Sequence, residues 1–143
     1  MIVDQIAVYV ENKLGTLAEV TEIMGDAGID LRALSIADSS DFGVLRIIAD
    51  DPARAHALLK EAGFVVSTTQ VLAVPLADAP GSLAKVLRIL AEKGISVEYA
   101  YAFITRKQGN AYVILRVADN VLARDVLAGG GVDAASDGNL FDQ

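Results

Sequence analysis

Two loops in the chain combine residue types that could bind the carboxylate and ammonium groups of a free amino acid. The first loop is Asn12–Thr16 (NKLGT) and the second is Asp78–Ser82 (DAPGS). Each is predicted to open a helix, whose free backbone N–H groups and partial positive charge favour a carboxylate. The glycine in each loop lets the backbone approach a ligand closely, and a hydroxyl residue follows it. Asn12 and Asp78 add side-chain oxygens that could accept hydrogen bonds from an ammonium group.

The same residue types also cap helices where no ligand binds. Asp, Asn, Ser and Thr side chains commonly accept hydrogen bonds from the first backbone amides of a helix. Capping and ligand binding are therefore both open on the residue types alone. Repetition of the whole element favours binding, although a duplicated structure also duplicates its caps.

The two loops belong to a longer internal repeat. A shift of 66 positions superposes Leu14–Leu31 on Pro80–Val97, and seven of the eighteen aligned positions are identical. Such a repeat determines the architecture, and it predicts domains at 1–68 and 69–136 followed by a tail at 137–143. Beyond the turn that follows the second strand of each copy, Leu45 aligns with Leu115, so the offset between the two copies is predicted to grow from 66 to 70 positions. The second copy would then have a hairpin four residues longer.

Each copy is predicted to have the element order βαββαβ, from strand-like runs of β-branched and aromatic residues and from helical periodicity. In the first copy, strands are expected at Val3–Val10, Ile29–Ala37, Val44–Ala49 and Phe64–Thr68, and helices at Thr16–Ala27 and from Pro52 to about Ala62. In the second copy, strands are expected at Gln70–Leu76, Ser96–Thr105, Ala111–Ala118 and, weakly, Val132–Ser136, and helices at Ser82–Lys93 and Asn120–Ala128.

This element order predicts an α+β fold of two ferredoxin-like repeats, each an antiparallel sheet with its helices on one face. The inward faces of the first helices are expected to carry Leu17, Val20, Met24 and Ala27 in one copy, and Leu83, Val86, Leu87 and Leu90 in the other. Several strands are apolar at nearly every position, so both faces of the sheets are expected to be covered.

Composition excludes several classes of function. The chain has no cysteine and one histidine, His56, so zinc sites and catalytic triads lack members; His56 is expected on the surface or at a boundary. A net charge of −7 argues against nucleic acid. No apolar run approaches the ~20 residues that span a bilayer. With no signal peptide evident, we expect a cytoplasmic protein without cofactors or metals.

The repeated motif resembles that of a known family. The pattern DxPGxLAxVxxxLxxxGI within βαββαβ is similar to that of ACT domains, regulatory modules that bind amino acids. The second copy reads D78-A-P-G-S-L-A-K-V-L-R-I-L-A-E-K-G-I95 and matches it closely. The first copy departs from it with Leu14 in place of proline, which puts equal affinity of the two sites in doubt. Together the copies cover nearly the whole chain and leave no catalytic domain.

The resemblance implies that ACT units join side by side into an extended sheet and bind ligands at the seam. Each site would combine the first loop of one unit with the start of the second strand of its neighbour. The implied ligand-binding residues are Asn12, Leu14, Gly15, Thr16, Asp30 and Leu31 in the first copy, and Asp78, Pro80, Gly81, Ser82, Ser96 and Val97 in the second.

We therefore expect a non-enzymatic regulatory protein, a homodimer that binds a free amino acid and signals to its oligomer or to a metabolic enzyme. A scaffold with empty pockets is the alternative. An enzyme using carboxylates such as Asp30 and Asp78 lacks an acid pair at convincing spacing. Arg46 and Arg116 could reach a ligand carboxylate or pair with strand neighbours. Tyr99, Tyr101 and Phe103 suggest interface packing.

Overall fold

The structure, a computed structural model, describes residues 1–103 and 110–134. Its elements in chain order are β1 (Ile2–Glu11), α1 (Thr16–Asp26), β2 (Leu31–Asp38), β3 (Phe42–Ala49), α2 (Pro52–Glu61), β4 (Val65–Ala77), α3 (Ser82–Glu92), β5 (Tyr99–Phe103), β6 (Asn110–Arg116) and α4 (Asn120–Gly129). The predicted α+β class and the repeated ferredoxin-like order are confirmed.

Two predicted strands are in fact one. Phe64–Thr68 and Gln70–Leu76 were expected to be separate, but β4 runs without a break from Val65 to Ala77. The one residue between them is Thr69, flanked by Thr68 and Gln70, and none of these is a glycine or proline that would turn the chain. The prediction of a weak last strand near Val132–Ser136 is wrong for Val132–Ala134, which form no strand. The other two residues of that prediction lie outside the described residues. The predicted tail also lies outside them.

The chain divides into two compact units. The first unit is Asp4–Thr69, and the second comprises Gln70 onward together with Met1–Val3. The three N-terminal residues are held there by the backbone of β4, because the amide of Ala73 donates to the Met1 carbonyl at 2.7 Å. The Met1 ammonium donates in turn to the carbonyls of Ala73 and Ala134.

In the first unit the strand order is β2-β3-β1-β4, and β2 is an edge strand. Strands β1 and β3 are antiparallel, with Ile6 opposite Ile47 and Val8 opposite Leu45. These four side chains are fully buried together with Met24. They form a core with six further buried apolar residues of the unit, Val10, Val20, Ile29, Ala49, Ala55 and Leu59.

In the second unit the order is β4-β6-β5, and the core is built on the same plan. Val74 lies opposite Val113, just as Val8 lies opposite Leu45. Val8 and Val74 are equivalent in the repeat, so their strand partners Leu45 and Val113 are equivalent as well. These partners are 68 residues apart in the sequence. The predicted shift of 70 is therefore wrong, and the second hairpin is longer by two residues rather than four.

The first turns of α1 and α3 differ from prediction. Leu17 and Leu83 were expected to face inward, but their exposed fractions are 43% and 40%. Thr16, Val20 and Met24 are buried instead, at the i, i+4, i+8 spacing that defines one helix face. The inward stripe therefore begins one residue earlier than the apolar pattern suggests, and in α1 it begins with a hydroxyl.

No helix in the described part of the chain is long and apolar enough to cross a membrane. Residues 1–103 and 110–134 also contain no cluster of three acidic or histidine side chains that could hold a metal ion.

Candidate ligand-binding site

The four helices begin in two different ways. At α2 and α4 an aspartate caps the helix: Asp51 accepts from the amide of Arg54 at 3.2 Å, and Asp119 accepts from that of Leu122 at 3.0 Å. Helices α1 and α3 begin at glycines in the left-handed region, and no side chain caps either of them. The polar residues of the two predicted loops are therefore not helix caps.

The two glycine starts share one backbone conformation. Gly15 has φ 86° and ψ −7°, and Gly81 has φ 87° and ψ −8°. This region of φ favours glycine because it lacks a Cβ. The hydrogen bonds also repeat at the 66-residue shift. In the first loop, the backbone amides of Lys13, Thr16 and Glu19 donate to the carbonyls of Glu11, Lys13 and Gly15. In the second loop, the backbone amides of Ala79, Ser82 and Lys85 donate to the carbonyls of Ala77, Ala79 and Gly81.

These starts leave backbone donors free. The first hydrogen bond of α1 is donated by the Glu19 amide to the Gly15 carbonyl at 3.0 Å. The amides of Leu17 and Ala18 precede that bond, so they have no acceptor within the helix. Together with the partial positive charge of the helix start, they favour an anionic group outside the loop.

Thr16 is the most unusual residue of the site. It is only 6% exposed, and its Oγ1 atom is buried without a hydrogen-bond partner in the described part of the chain. A buried hydroxyl without a partner costs free energy, so buried polar atoms are nearly always paired. The equivalent Ser82 is partly exposed and can bond to water. The first unit thus keeps an unsatisfied donor at its helix start and the second does not.

A cavity of about 400 Å³ lies beside Thr16, entirely within the first unit. Its walls are the end of β1, the start of α1, Phe42 and the turn from α2 into β4. We call it the Thr16 cavity, and its lining residues are Tyr9, Val10, Glu11, Lys13, Thr16, Glu19, Phe42, Ala62, Gly63, Phe64 and Val65. Its volume lies within the range of about 300–1,000 Å³ that is typical of small-molecule sites.

A smaller cavity of about 80 Å³ meets Thr16 from the β2 side. It is lined by residues that include Asn12, Leu17, Ile36 and Asp38. A water molecule occupies about 30 Å³ in the liquid, so this space suits a few waters rather than an amino acid. The Thr16 cavity is therefore the candidate site.

Two of the three charges in the Thr16 cavity are paired with each other. The Lys13 ammonium lies 3.2 Å from a carboxylate oxygen of Glu11, and both side chains are largely exposed. Glu19 makes no ion pair with any residue in the described parts of the chain. Its carboxylate is free to accept hydrogen bonds from a ligand ammonium group.

The remaining loop residues predicted to bind lie on the surface. The backbone amide of Asn12 donates to the backbone carbonyl of Asp41 at 2.9 Å. Leu14 is fully exposed, as a loop residue with no neighbour to pack on. Asp78 and Pro80 are exposed as well.

The predicted strand-start residues lie away from the loops of their own units. In the first unit, Leu31 pairs with Ala49 at one end of the sheet, whereas Asp38 and Glu11 reach β3 at the other end. Asp30 lies beside Leu31 and is fixed by its amide, which donates to an Asp50 carboxylate oxygen at 3.0 Å. Within the first unit, Asp30 and Leu31 therefore lie away from the loop at Asn12–Thr16, and their predicted pairing with the loop of a neighbouring unit stays a prediction.

The second unit has the same arrangement. Ser96 and Val97 precede β5, which begins at Tyr99 rather than at Ser96 as predicted. Tyr99 pairs with Arg116, whereas Ala77, just before the loop, pairs with Asn110 at the other end of β6. Ser96 and Val97 are therefore remote from the Asp78–Ser82 loop.

The second unit has an apolar hollow of about 190 Å³ at its own helix start, which we call the Leu83 hollow. Its lining residues are Leu76, Leu83, Ala100, Tyr101, Ala102, Ala111, Tyr112 and Val113. Leu76, Leu83 and Ala102 are equivalent to Val10, Leu17 and Ile36 beside the smaller cavity of the first unit. Within residues 1–103 and 110–134, no charged residue lines the hollow, so those residues provide no carboxylate for an ammonium group.

Other predicted candidates have structural partners. His56 is half-buried, and its Nδ1 lies 2.8 Å from the Thr68 hydroxyl. Arg116 donates to the Val117 carbonyl and lies 3.6 Å from a Glu98 carboxylate oxygen. The aromatic residues of β5 contact other aromatics, with the rings of Tyr99 and Tyr101 stacked and those of Phe103 and Tyr112 edge to face.

Sequence reasoning did not select Glu19, Tyr9, Phe42 or Phe64 for the site. A signal for Glu19 was present, because the repeat places Lys85 at the equivalent position and so reverses the charge. The aromatic residues come from three separate segments, and only the folded chain shows that they share a cavity.

Comparisons with known proteins agree with this architecture. The model of the family described as the ACT domain pair matches residues 1–142. Protein BT0572 from Bacteroides thetaiotaomicron is 39% identical, with a TM-score of 0.86 over 93% of this chain and 91% of its own. No curated protein matches significantly.

Two regulatory subunits of aspartate kinase share the fold at low identity. The ligand-free subunit from Thermus thermophilus is 16% identical, with a TM-score of 0.66 over 89% of this chain and 91% of its own. The subunit from Thermus flavus is 14% identical, with a TM-score of 0.60 over 90% of this chain and 92% of its own.

Proposed function

The chain belongs to the family of ACT domain pairs, and on this basis we propose that it is a regulatory protein that binds a free amino acid. One observation carries the proposal: the hydroxyl of Thr16 is buried and unpartnered at a helix start that no side chain caps. A ligand that accepts a hydrogen bond there would relieve the cost of the unsatisfied hydroxyl.

A zwitterionic amino acid matches the groups around Thr16. Its carboxylate would accept from the Thr16 hydroxyl, at a helix start whose partial positive charge favours a negative group. Its ammonium group would donate to Glu19, the cavity carboxylate with no ion pair. The first unit therefore provides each of these groups, whereas no charged side chain in the described part of the second unit lines the Leu83 hollow.

Binding would act by selecting one arrangement of the protein. A ligand that binds the folded first unit stabilises it, and it shifts any equilibrium between arrangements that bind it with different affinity. We propose a metabolic enzyme as the regulated partner, since related folds occur in regulatory subunits of aspartate kinase. The homodimer and the cytoplasmic location stay predictions.

An assembly scaffold is the second candidate function, and one observation favours it. The edge strand β2 carries two large apolar side chains, Leu34 and Ile36, which are 48% and 43% exposed. Exposed apolar edges of this kind pair readily with another chain. A scaffold predicts assembly without any response to amino acids.

A thermal-shift screen against the twenty amino acids, followed by calorimetry, separates the two functions. A ligand at 100 times its dissociation constant would stabilise the protein by about 2.7 kcal/mol. Absence of a shift with every amino acid would leave the scaffold and remove the regulatory proposal.

Substitution of Thr16 by valine gives a sharper test, because two effects of opposite sign are expected. Thr16→Val keeps the shape and removes the unsatisfied hydroxyl, so the free energy of unfolding should be unchanged or higher by about 1 kcal/mol. Ligand affinity should fall about tenfold or more, since a hydrogen bond to a charged group contributes about 1.5–3 kcal/mol. The matched control Ser82→Ala should alter neither quantity. Unchanged affinity in Thr16→Val would count against the site.

A further inference from the structure

We propose that the ligand of the Thr16 cavity is a neutral amino acid with a large apolar side chain, and that aromatic amino acids bind best. This inference rests on the proposed function and names the ligand class. It derives from the lining of the cavity beyond the groups that would hold the ligand backbone.

Three aromatic side chains line the Thr16 cavity. Tyr9 and Phe42 are 50% and 62% exposed, so their rings are accessible to a ligand in the cavity. Phe64 is half-buried and packs against the core of the first unit, so it forms a fixed wall. Aromatic rings in contact prefer edge-to-face or offset stacking, so an aromatic ligand gains more here than an aliphatic one.

The turn that presents Phe64 is rigidly built. Gly63 has φ 94°, and its amide donates to the Lys60 carbonyl at 3.0 Å. The Phe64 amide donates to the Leu59 carbonyl at 3.1 Å. Val65 follows as the first residue of β4 and is 67% exposed beside the cavity. These hydrogen bonds and the packing of Phe64 on the core fix this wall within the fold of the first unit, and a fixed wall lowers the cost of ordering the site.

The charges of the cavity argue against charged ligand side chains. The lining has two negative charges, on Glu11 and Glu19, and one positive charge, on Lys13, so the side chain of an acidic amino acid would be repelled. A basic amino acid needs a second acceptor for its side chain, but Glu11 is already paired with Lys13. Among the residues that the structure describes, Glu19 has no ion pair, and the ligand ammonium group uses it. The lining therefore fits one zwitterion with an uncharged side chain.

The cavity volume also favours a large side chain. A space of about 400 Å³ leaves room beyond the ammonium and carboxylate groups, and small side chains would leave it filled with water. Burial of a large apolar side chain strengthens binding about tenfold or more relative to a small one. Phenylalanine and tyrosine should bind more tightly than leucine, and leucine more tightly than alanine.

The test is calorimetry on the full chain with phenylalanine, leucine, alanine, aspartate and lysine. Phe42→Thr keeps a strand-forming residue at an exposed position, and it should weaken phenylalanine binding about tenfold while alanine binding stays unchanged. The control Leu34→Thr removes an exposed apolar strand residue outside the cavity, and it should leave phenylalanine binding unchanged.

Each result decides between the ligand class and the broader function. Tightest binding of aspartate, lysine or alanine, weakened by Thr16→Val, would overturn the ligand class and keep the proposed function. Tightest binding of phenylalanine that Phe42→Thr does not weaken would also overturn it, because the ring would then lie elsewhere. No binding of any amino acid would overturn both.

Discussion

The starts of α1 and α3 share one backbone and differ in what their side chains can bind. Gly15 and Gly81 have φ angles within 1° of each other, and the loop hydrogen bonds repeat donor for donor. Around that backbone, the first unit has Thr16 buried and unpartnered beside a charged cavity. The second unit has a partly exposed Ser82 and an apolar hollow.

The two copies therefore share their backbone at this helix start but not the charged side chains around it. The backbone geometry is retained because it sets the entry of the chain into a helix that covers a core. The lining residues carry no such constraint, since Glu11, Lys13 and Glu19 are exposed. Their equivalents, Ala77, Ala79 and Lys85, remove or reverse each charge.

The largest expected effect tests whether the two cores are equivalent. Met24 and Leu90 occupy equivalent positions and are both fully buried. Met24→Ala and Leu90→Ala should each lower the free energy of unfolding by about 2–5 kcal/mol, because each leaves a cavity in a packed core. Urea denaturation measures this. A loss below about 1 kcal/mol in either variant would contradict the equivalence.

An intermediate effect tests the difference in charge. Glu19→Lys places the residue of the second unit into the first, and it should weaken amino-acid binding by more than about tenfold, since it removes the ammonium acceptor and adds repulsion. The reciprocal variant Lys85→Glu should leave calorimetric binding unchanged. Equal effects from both variants would show that the two helix starts act alike.

The smallest expected effect tests the shared backbone. Gly15→Ala and Gly81→Ala should each cost about 1 kcal/mol of stability, since an L-residue is disfavoured at positive φ. An added Cβ would meet no atom within 4 Å at either glycine, so no steric clash adds to the cost. Thermal denaturation of the two variants should give matching shifts. Clearly unequal shifts would contradict the equivalence of the two loops.

Much of the fold followed from local patterns. The βαββαβ order was predictable because the periodicity of apolar residues and the positions of glycines at turns are local properties of a chain. The predicted start of α2 at Pro52 is confirmed, and Asp51 caps the helix there. The continuity of β4 was not predictable from strand propensity, since its middle residues suit a strand or a connection equally.

The site was predictable only in outline. The loops around Gly15 and Gly81 could be selected from the repeat, but the inward turn of Thr16 in place of Leu17 could not. It depends on how α1 lies on its sheet, which apolar spacing fixes only to within one residue. The contributions of Phe42 and Phe64 depend on strand register and on a turn that are remote in sequence.

The duplicated architecture follows from the order of amino acids, because residue spacing within each copy specifies its helices, strands and turns. Tertiary structure alone decided that a hydroxyl is buried without a partner in one copy and that three distant aromatic side chains line the space beside it. Burial and cavity lining arise from segments far apart in the chain. No local pattern encodes them, and they distinguish two units that read almost alike.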